Sequence, residues 1–246
     1  VPSQLVCRPE RGFPVAVLHV SGVLDQVTGD ALQQAVRLRL ADQPTVLLLD
    51  VARLRIGDPI GLAALSAVIC QSLEWPDAPV VLCGADPRTA ALIAAAPDCA
   101  DVRFSDDFAA ALTSARAQTA PPRIRVRMRP VPEACRQVRH LVTQACGAWH
   151  RPGLAATATL IATELVANVV RHAHTKMIFT LRPINGGQLG MTVRDHSRRL
   201  PKPTDAGITD PGGRGLRLVR DLTDAWGVLP VTDGKVVWTR IQADVG

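Results

Sequence analysis

Glu164 stands four residues ahead of Asn168 in the stretch TATLIATELVANVVRHAH, residues 157–174, which is otherwise largely aliphatic. On an α-helix, residues four apart stack on one face, so a carboxylate and a carboxamide would project side by side. Such a pair also occurs as a plain polar stripe on an amphipathic helix. Two further patterns follow in chain order. Val193-Arg194-Asp195-His196-Ser197 puts a carboxylate at the end of a strand-like run, and Pro211-Gly212-Gly213-Arg214-Gly215-Leu216 is a glycine-rich loop opening a helix. A loop of that kind turns backbone N–H groups toward phosphate, although a lone glycine-rich turn would not require a ligand.

The elements that must position these residues fall in the second half of the chain. RIRVRMRP (123–130) reads as a strand, and PEACRQVRHLVTQACGAW (132–149) as a helix with Pro132 in its first turn. The segment from Gly153 is a second long helix carrying Glu164 and Asn168. KMIFTLRP (176–183) and GQLGMTVRD (187–195) form a hairpin around Asn185-Gly186-Gly187, and WGVLPVT and KVVWTRIQ are two closing strands. Residues 198–213 are rich in Pro, Gly and Asp and have no periodicity.

The first half alternates differently. VAVLHVSG (15–22), PTVLLLDVA (44–52) and PVVLCG (79–84) are strand candidates, with helical spacing in DALQQAVRLRLA (30–41), PRTAALIAAA (87–96) and DDFAAALTSARA (106–117). This is an α/β pattern. It stops at QTAPPR, so a linker is placed at 118–122, between domains at 1–118 and 123–246.

Composition narrows the function classes. The 246 residues are 47% hydrophobic and 20% charged, as in a globular chain. No apolar run is expected to cross a membrane, and the start lacks a signal-peptide layout, so a cytoplasmic location is expected. Residues 1–118 hold 9 Lys and Arg against 13 Asp and Glu, whereas 119–246 hold 19 against 9. An acidic half joined to a basic half suggests phosphate binding, an acidic partner or mutual docking. With no Tyr and four Phe, there is no aromatic platform for bases, and direct nucleic-acid binding is not expected. The six cysteines are scattered without a CxxC pair and read as reduced, mostly apolar-segment residues.

TELVANVVRHA, VRDHS, GGRGLRLVRDL and the terminal GKVVWTRI together resemble the GHKL-type ATP-binding fold, in its anti-sigma-factor serine kinase branch, over 123–246. The resemblance implies a two-layer α/β sandwich that binds ATP with Mg²⁺. Glu164 would be the catalytic base that takes the proton from a substrate serine, and Asn168 would hold Mg²⁺, a hard cation that suits an amide oxygen. Asp195 would accept a hydrogen bond from the adenine amino group. Gly213 and Gly215 would let backbone approach the phosphates, with Arg214 neutralising their charge. His172 matches a histidine frequent in this branch, or else packs the helix. The family's D-x-G-x-G is here Asp195-His196-Ser197-Arg198-Arg199, without either glycine, and 198–213 would form a short lid.

The first half resembles a STAS domain, the fold of anti-sigma-factor antagonists, over about 3–117. VSGVLDQVTGDALQQAV, LLLDVARL and Gly57-Asp58-Pro59-Ile60-Gly61-Leu62 carry the likeness. Where phosphorylatable members have a serine before the glycine, this chain has Ile60. Asp58 is a good N-cap and Pro59 a good first helical residue, so the helix start is kept while the acceptor hydroxyl is gone. The combination implies a sigma-factor regulatory protein that phosphorylates a separate STAS antagonist or sequesters a sigma factor. Its own STAS domain would dock on the kinase domain of the same or a sister chain, the latter a homodimer. The alternative is a non-catalytic ATP-binding scaffold or sensor.

Overall fold

Leu47, Leu48 and Leu49 are consecutive and all fully buried, which a strand achieves only in a sheet covered on both faces. They belong to a computed structural model that describes residues 4–10, 12–75, 78–96, 102–201 and 214–242. Its internal contacts separate Val1–Ala120 from Pro121–Gly246 as two units.

In the first unit, β1 (Leu5–Glu10) runs antiparallel to β2 (Val15–Leu24). β2 then pairs in parallel with β3 (Val46–Ile56), which pairs with β4 (Val80–Cys83), and that with β5 (Arg103–Ser105). The sheet order is therefore β1-β2-β3-β4-β5. The crossovers are α1 (Gly29–Leu40), α2 (Pro59–Glu74) and α3 (Pro87–Ala94), followed by α4 (Phe108–Ala117). Val15, Val17, Val46 and Leu48 pack with Ala115 of α4. The strands β1 and β5 are additions to the sequence reading. LVCRPE carries an arginine, a proline and a glutamate in six residues, and β5 is three residues long, so neither has a strand-like apolar alternation.

The start of α2 is built as its sequence implies. Asp58 Oδ1 accepts from Gly61 N at 2.7 Å, with Pro59 as the first helical residue. Asp58 Oδ2 also accepts from Gln26 N at 3.1 Å, tying the loop after β2 to the same helix end. A Cβ at position 61 would stand 2.1 Å from the Leu24 carbonyl oxygen, so glycine is what allows α2 to abut β2.

The second unit is a five-stranded antiparallel sheet in the order β6-β7-β8-β10-β9. Its strands are β6 (Ile124–Met128), β7 (Met177–Pro183), β8 (Leu189–Asp195), β9 (Ala225–Val231) and β10 (Gly234–Ile241). Two long helices, α5 (Glu133–Ala148) and α6 (Ala155–Asn168), form the second layer, and α7 (Arg214–Asp221) packs beside α6. Val138 and Val142 of α5 and Ile161, Leu165 and Val166 of α6 share one core with Phe179, Met191, Val193 and Val237 of the sheet. The period-3.6 stripe on each helix and the period-2 stripe on each strand thus meet as a two-layer sandwich.

The long helix expected from Gly153 is composite. A 3-10 turn (Pro152–Leu154) leads into α6, and Val169–Ala173 continues it as a π-helical turn that ends with His174 in the left-handed region at φ 54°. Against the expectation that no segment could cross a membrane, Pro152–Ala173 is long and apolar enough by length and composition, with a mean hydropathy of 1.6. In this fold it is a core helix, with Ala158, Ile161, Ala162 and Val166 fully buried.

Candidate functional site

A cavity of about 540 Å³ opens between the helices and the sheet of the second unit, within the roughly 300–1,000 Å³ common for small-ligand sites. One wall is α6 and its π-helical continuation, which contribute Leu165, Asn168, Val169, His172 and Ala173. The floor is the end of β8 and the start of β10, with Val193, Asp195, Lys235 and Val237. Register explains the floor, because Asp195 lies directly opposite Lys235 and Val193 opposite Val237. Ser197, Arg199, Leu200 and Pro201 line one rim, and Leu216 of α7 another.

At the floor, Asp195 is 1% exposed and Lys235 7%. Lys235 Nζ donates to Asp195 Oδ1 at 2.9 Å and to the Ser197 carbonyl oxygen at 3.1 Å. Ser197 N donates to the same Oδ1 at 2.7 Å. The buried carboxylate is therefore paired and hydrogen-bonded, as a buried charge must be. Neither glycine of the related D-x-G-x-G pattern is present, yet the Ser197 backbone closes a tight turn on Asp195. Sequence reasoning picked out Asp195 and passed over Lys235. The signal that finds it is register, since only the pairing of β8 with β10 brings positions forty apart together.

At the other end, Glu164 and Asn168 are half-buried at the margin of the apolar stripe, so they are not a solvent-facing polar stripe. Glu164 Oε2 accepts from Arg171 Nη2 at 3.1 Å, and Arg171 Nε donates to the Ala167 carbonyl at 3.3 Å. α7 begins against this pair. A Cβ at position 215 would stand 2.5 Å from Glu164 Oε2 and 3.5 Å from Asn168 Oδ1, so Gly215 leaves the space that the carboxylate occupies. The structure thus brings Glu164, Asn168 and Gly215 together, and sets Asp195 on the floor of the cavity that Asn168 lines. Gly213, the side chain of Arg214 and most of the expected lid (202–213) lie outside the described residues. His172 lines the cavity, while His174 terminates the π turn through its N–H to the Val169 carbonyl at 2.8 Å. Ile60 lies in the first unit, 51% exposed in the first turn of α2.

Residues 128–241 match the family model of the histidine kinase-like ATPase domain. The second unit carries a histidine kinase-like ATPase domain. The N-terminal half has relatives among anti-sigma-factor antagonists. One is the anti-sigma-F factor antagonist RsfB of Mycobacterium tuberculosis, 38% identical over 64 residues, which are 25% of this chain and 52% of that protein. The chain thus spans about half the length of that curated relative. Among solved structures, an anti-sigma factor antagonist from Mycobacterium paratuberculosis is 26% identical, covering 47% of this chain and 97% of that one, with a TM-score of 0.41. The RsbU and RsbW domains of a Mycobacterium tuberculosis protein are 14% identical, covering 49% and 32%, with a TM-score of 0.38. Both units are α/β as the motifs implied, a mixed sheet with crossover helices in the first and an ATPase-type two-layer sandwich in the second.

The residues of the ATPase domain suit the ligand that its family implies. A buried acceptor on the floor, apolar walls from Leu165, Val169 and Val193, and an amide and glycine at the far end can hold a base, a ribose and phosphates in turn. Among the described residues there is no cluster of three His, Cys, Asp or Glu side chains to hold a metal by itself. Mg²⁺ is usually held by one or two protein oxygens, water and substrate phosphates, and the Asn168 amide oxygen is a donor of that kind.

Proposed function

We propose that this chain is a partner-switching regulator whose ATPase domain binds Mg-ATP and transfers its terminal phosphoryl group to a serine on a separate anti-sigma-factor antagonist. The observation that carries this reading is the placement of Glu164 and Asn168 beside Gly215, at the end of a cavity floored by Asp195. Bound Mg-ATP supplies the phosphoryl group and the charge neutralisation for its transfer. Asp195 fixes the base, Asn168 offers its amide oxygen to the metal, and Glu164 accepts the proton of the incoming serine hydroxyl. Arg171 donates to the Glu164 carboxylate and favours that orientation.

A second reading, a nucleotide-binding scaffold without transfer, is favoured by one observation: Ser197 stands where the related D-x-G-x-G pattern has its first glycine. Incubation with labelled ATP and candidate antagonist proteins separates the two. Transfer by the wild type and none by Glu164→Gln supports the kinase; nucleotide binding without transfer by either supports the scaffold.

The antagonist-like half, with Ile60 where related domains carry serine, is in this reading a form that phosphorylation cannot release from an ATPase domain. Installing Ile60→Ser should create an acceptor labelled by ATP. No label on that variant, beside label on a separate antagonist, would mean that the first half is not a substrate surface.

A further inference from the structure

Lys235 is one of only three lysines in a chain with 25 arginines, and it is nearly buried. Its position is dictated by Gly234. That residue has a φ of 152°, and a Cβ there would stand 2.0 Å from the Asp195 carbonyl oxygen, so β10 starts as close to the end of β8 as a backbone can. The ammonium lies on the floor of the cavity, with Asp195 Oδ1 and the Ser197 carbonyl as its acceptors among the described residues. An ammonium has three donors, so one N–H remains. Asp195 has complementary arithmetic. Its Oδ1 already receives two donors, Lys235 Nζ and Ser197 N, while Oδ2 receives none among the described residues.

The floor therefore offers a ligand one acceptor, Oδ2, beside one donor, the remaining Lys235 N–H. We propose that Lys235 selects the nucleobase: its free N–H donates to ring N1 of a 6-aminopurine whose amino group donates to Asp195 Oδ2. This rests on the nucleotide-binding reading above and names the base. Adenine presents a donor, its amino group, next to an acceptor, N1, and so matches the floor. Guanine in that pose presents the reverse, O6 as an acceptor facing Asp195 Oδ2 and N1–H as a donor facing the ammonium. A shifted pose that turns its two donors, N1–H and the 2-amino group, to the carboxylate needs both oxygens. With Oδ1 filled by Lys235 and Ser197, one guanine donor would be buried unpaired, the situation by which polar sites reject a wrong ligand. A point-like ammonium on a flexible stem can serve Oδ1, the Ser197 carbonyl and a ligand at once, where a rigid guanidinium fork could not.

The test is calorimetry on the full chain with Mg²⁺ and ADP, GDP or 1-deaza-ADP, which lacks the ring acceptor, for wild type and Lys235→Met. Wild type should bind ADP at least about tenfold more tightly than either analogue. In Lys235→Met the 1-deaza penalty should fall to about threefold or less, and the ADP preference over GDP should narrow by about fivefold. Equal 1-deaza penalties in the two proteins overturn the proposal, because the lost contact then belongs to another group. If Lys235→Met does not fold, wild type still decides: equal affinity for ADP and 1-deaza-ADP overturns the proposal, and the tenfold gap supports it. Wild type that binds none of the three at millimolar concentration overturns the nucleotide reading itself, whereas ADP binding without discrimination removes only the role of Lys235.

Discussion

Replacing Asp195 with alanine removes an acceptor and also strands the Lys235 ammonium in a site where it is 7% exposed. Breaking a buried pair from one side costs about 3–5 kcal/mol, because the remaining charge keeps no counter-ion, only the Ser197 carbonyl. Urea unfolding of Asp195→Ala should show a loss of that order, and Asp195→Ala with Lys235→Met should recover much of it. A loss below about 1 kcal/mol would mean that the ammonium finds another acceptor. Asp195→Asn, which keeps the shape, is therefore the better probe of ligand binding. Glu164 stands apart from that pair: its carboxylate is held by the half-exposed Arg171, so Glu164→Gln should fold normally. It should abolish phosphoryl transfer while changing ATP affinity less than about threefold, and equal transfer by both forms would assign Glu164 a packing role. What the sequence displayed at this scale were residues whose partners are local. Asp58 and its cap could be read from neighbouring letters, while the partner of Asp195 lay forty positions away across a strand pairing.

Junctions between elements decide how tolerant the site is. Gly215→Ala would place a methyl 2.5 Å from Glu164 Oε2, the end of a side chain that can swing away, so the cost in stability should be within about 1 kcal/mol. If the proposed transfer reaction holds, its rate should nevertheless drop at least about tenfold, since the carboxylate is displaced. Gly234→Ala is a different case. The new Cβ would meet a backbone oxygen at 2.0 Å, at a φ that L side chains rarely adopt, and a loss of about 3 kcal/mol or more is expected by thermal unfolding. The helices and interior strands were legible because each buries one stripe or a full apolar run. β1 and β5 were not, because edge strands owe their existence to a neighbour's unpaired backbone more than to their own side chains. The π turn after Asn168 was hidden too, since VVRHA continues the helical letter pattern and only the backbone shows the extra residue.

At the scale of the whole molecule, the change from an alternating α/β order to a strand-helix-helix-sheet order divides the chain at QTAPPR, and the contacts divide at Ala120. The halves differ in charge as well, so salt should weaken any partner of the basic half more than one of the acidic half when that partner is acidic. Of the described cysteines, Cys83 and Cys146 are buried. Burial pushes the Cys83 thiol up to about 11, with Asp50 and Asp107 adding to the effect, and burial also raises Cys7, Cys135 and Cys146. A group whose folded pKa exceeds its unfolded value holds the proton more firmly when folded, so its contribution is complete below the unfolded value of 9.0 and fades as pH rises through the folded one. The chain has no tyrosine and three lysines, which leaves thiols as the main groups able to titrate in that window. Unfolding free energy should therefore decline between about pH 9 and 11, by about 2 kcal/mol for Cys83 alone. Cys83→Ala should flatten that alkaline limb; an unchanged slope would mean that Cys83 ionises as readily in the folded protein as in the open chain.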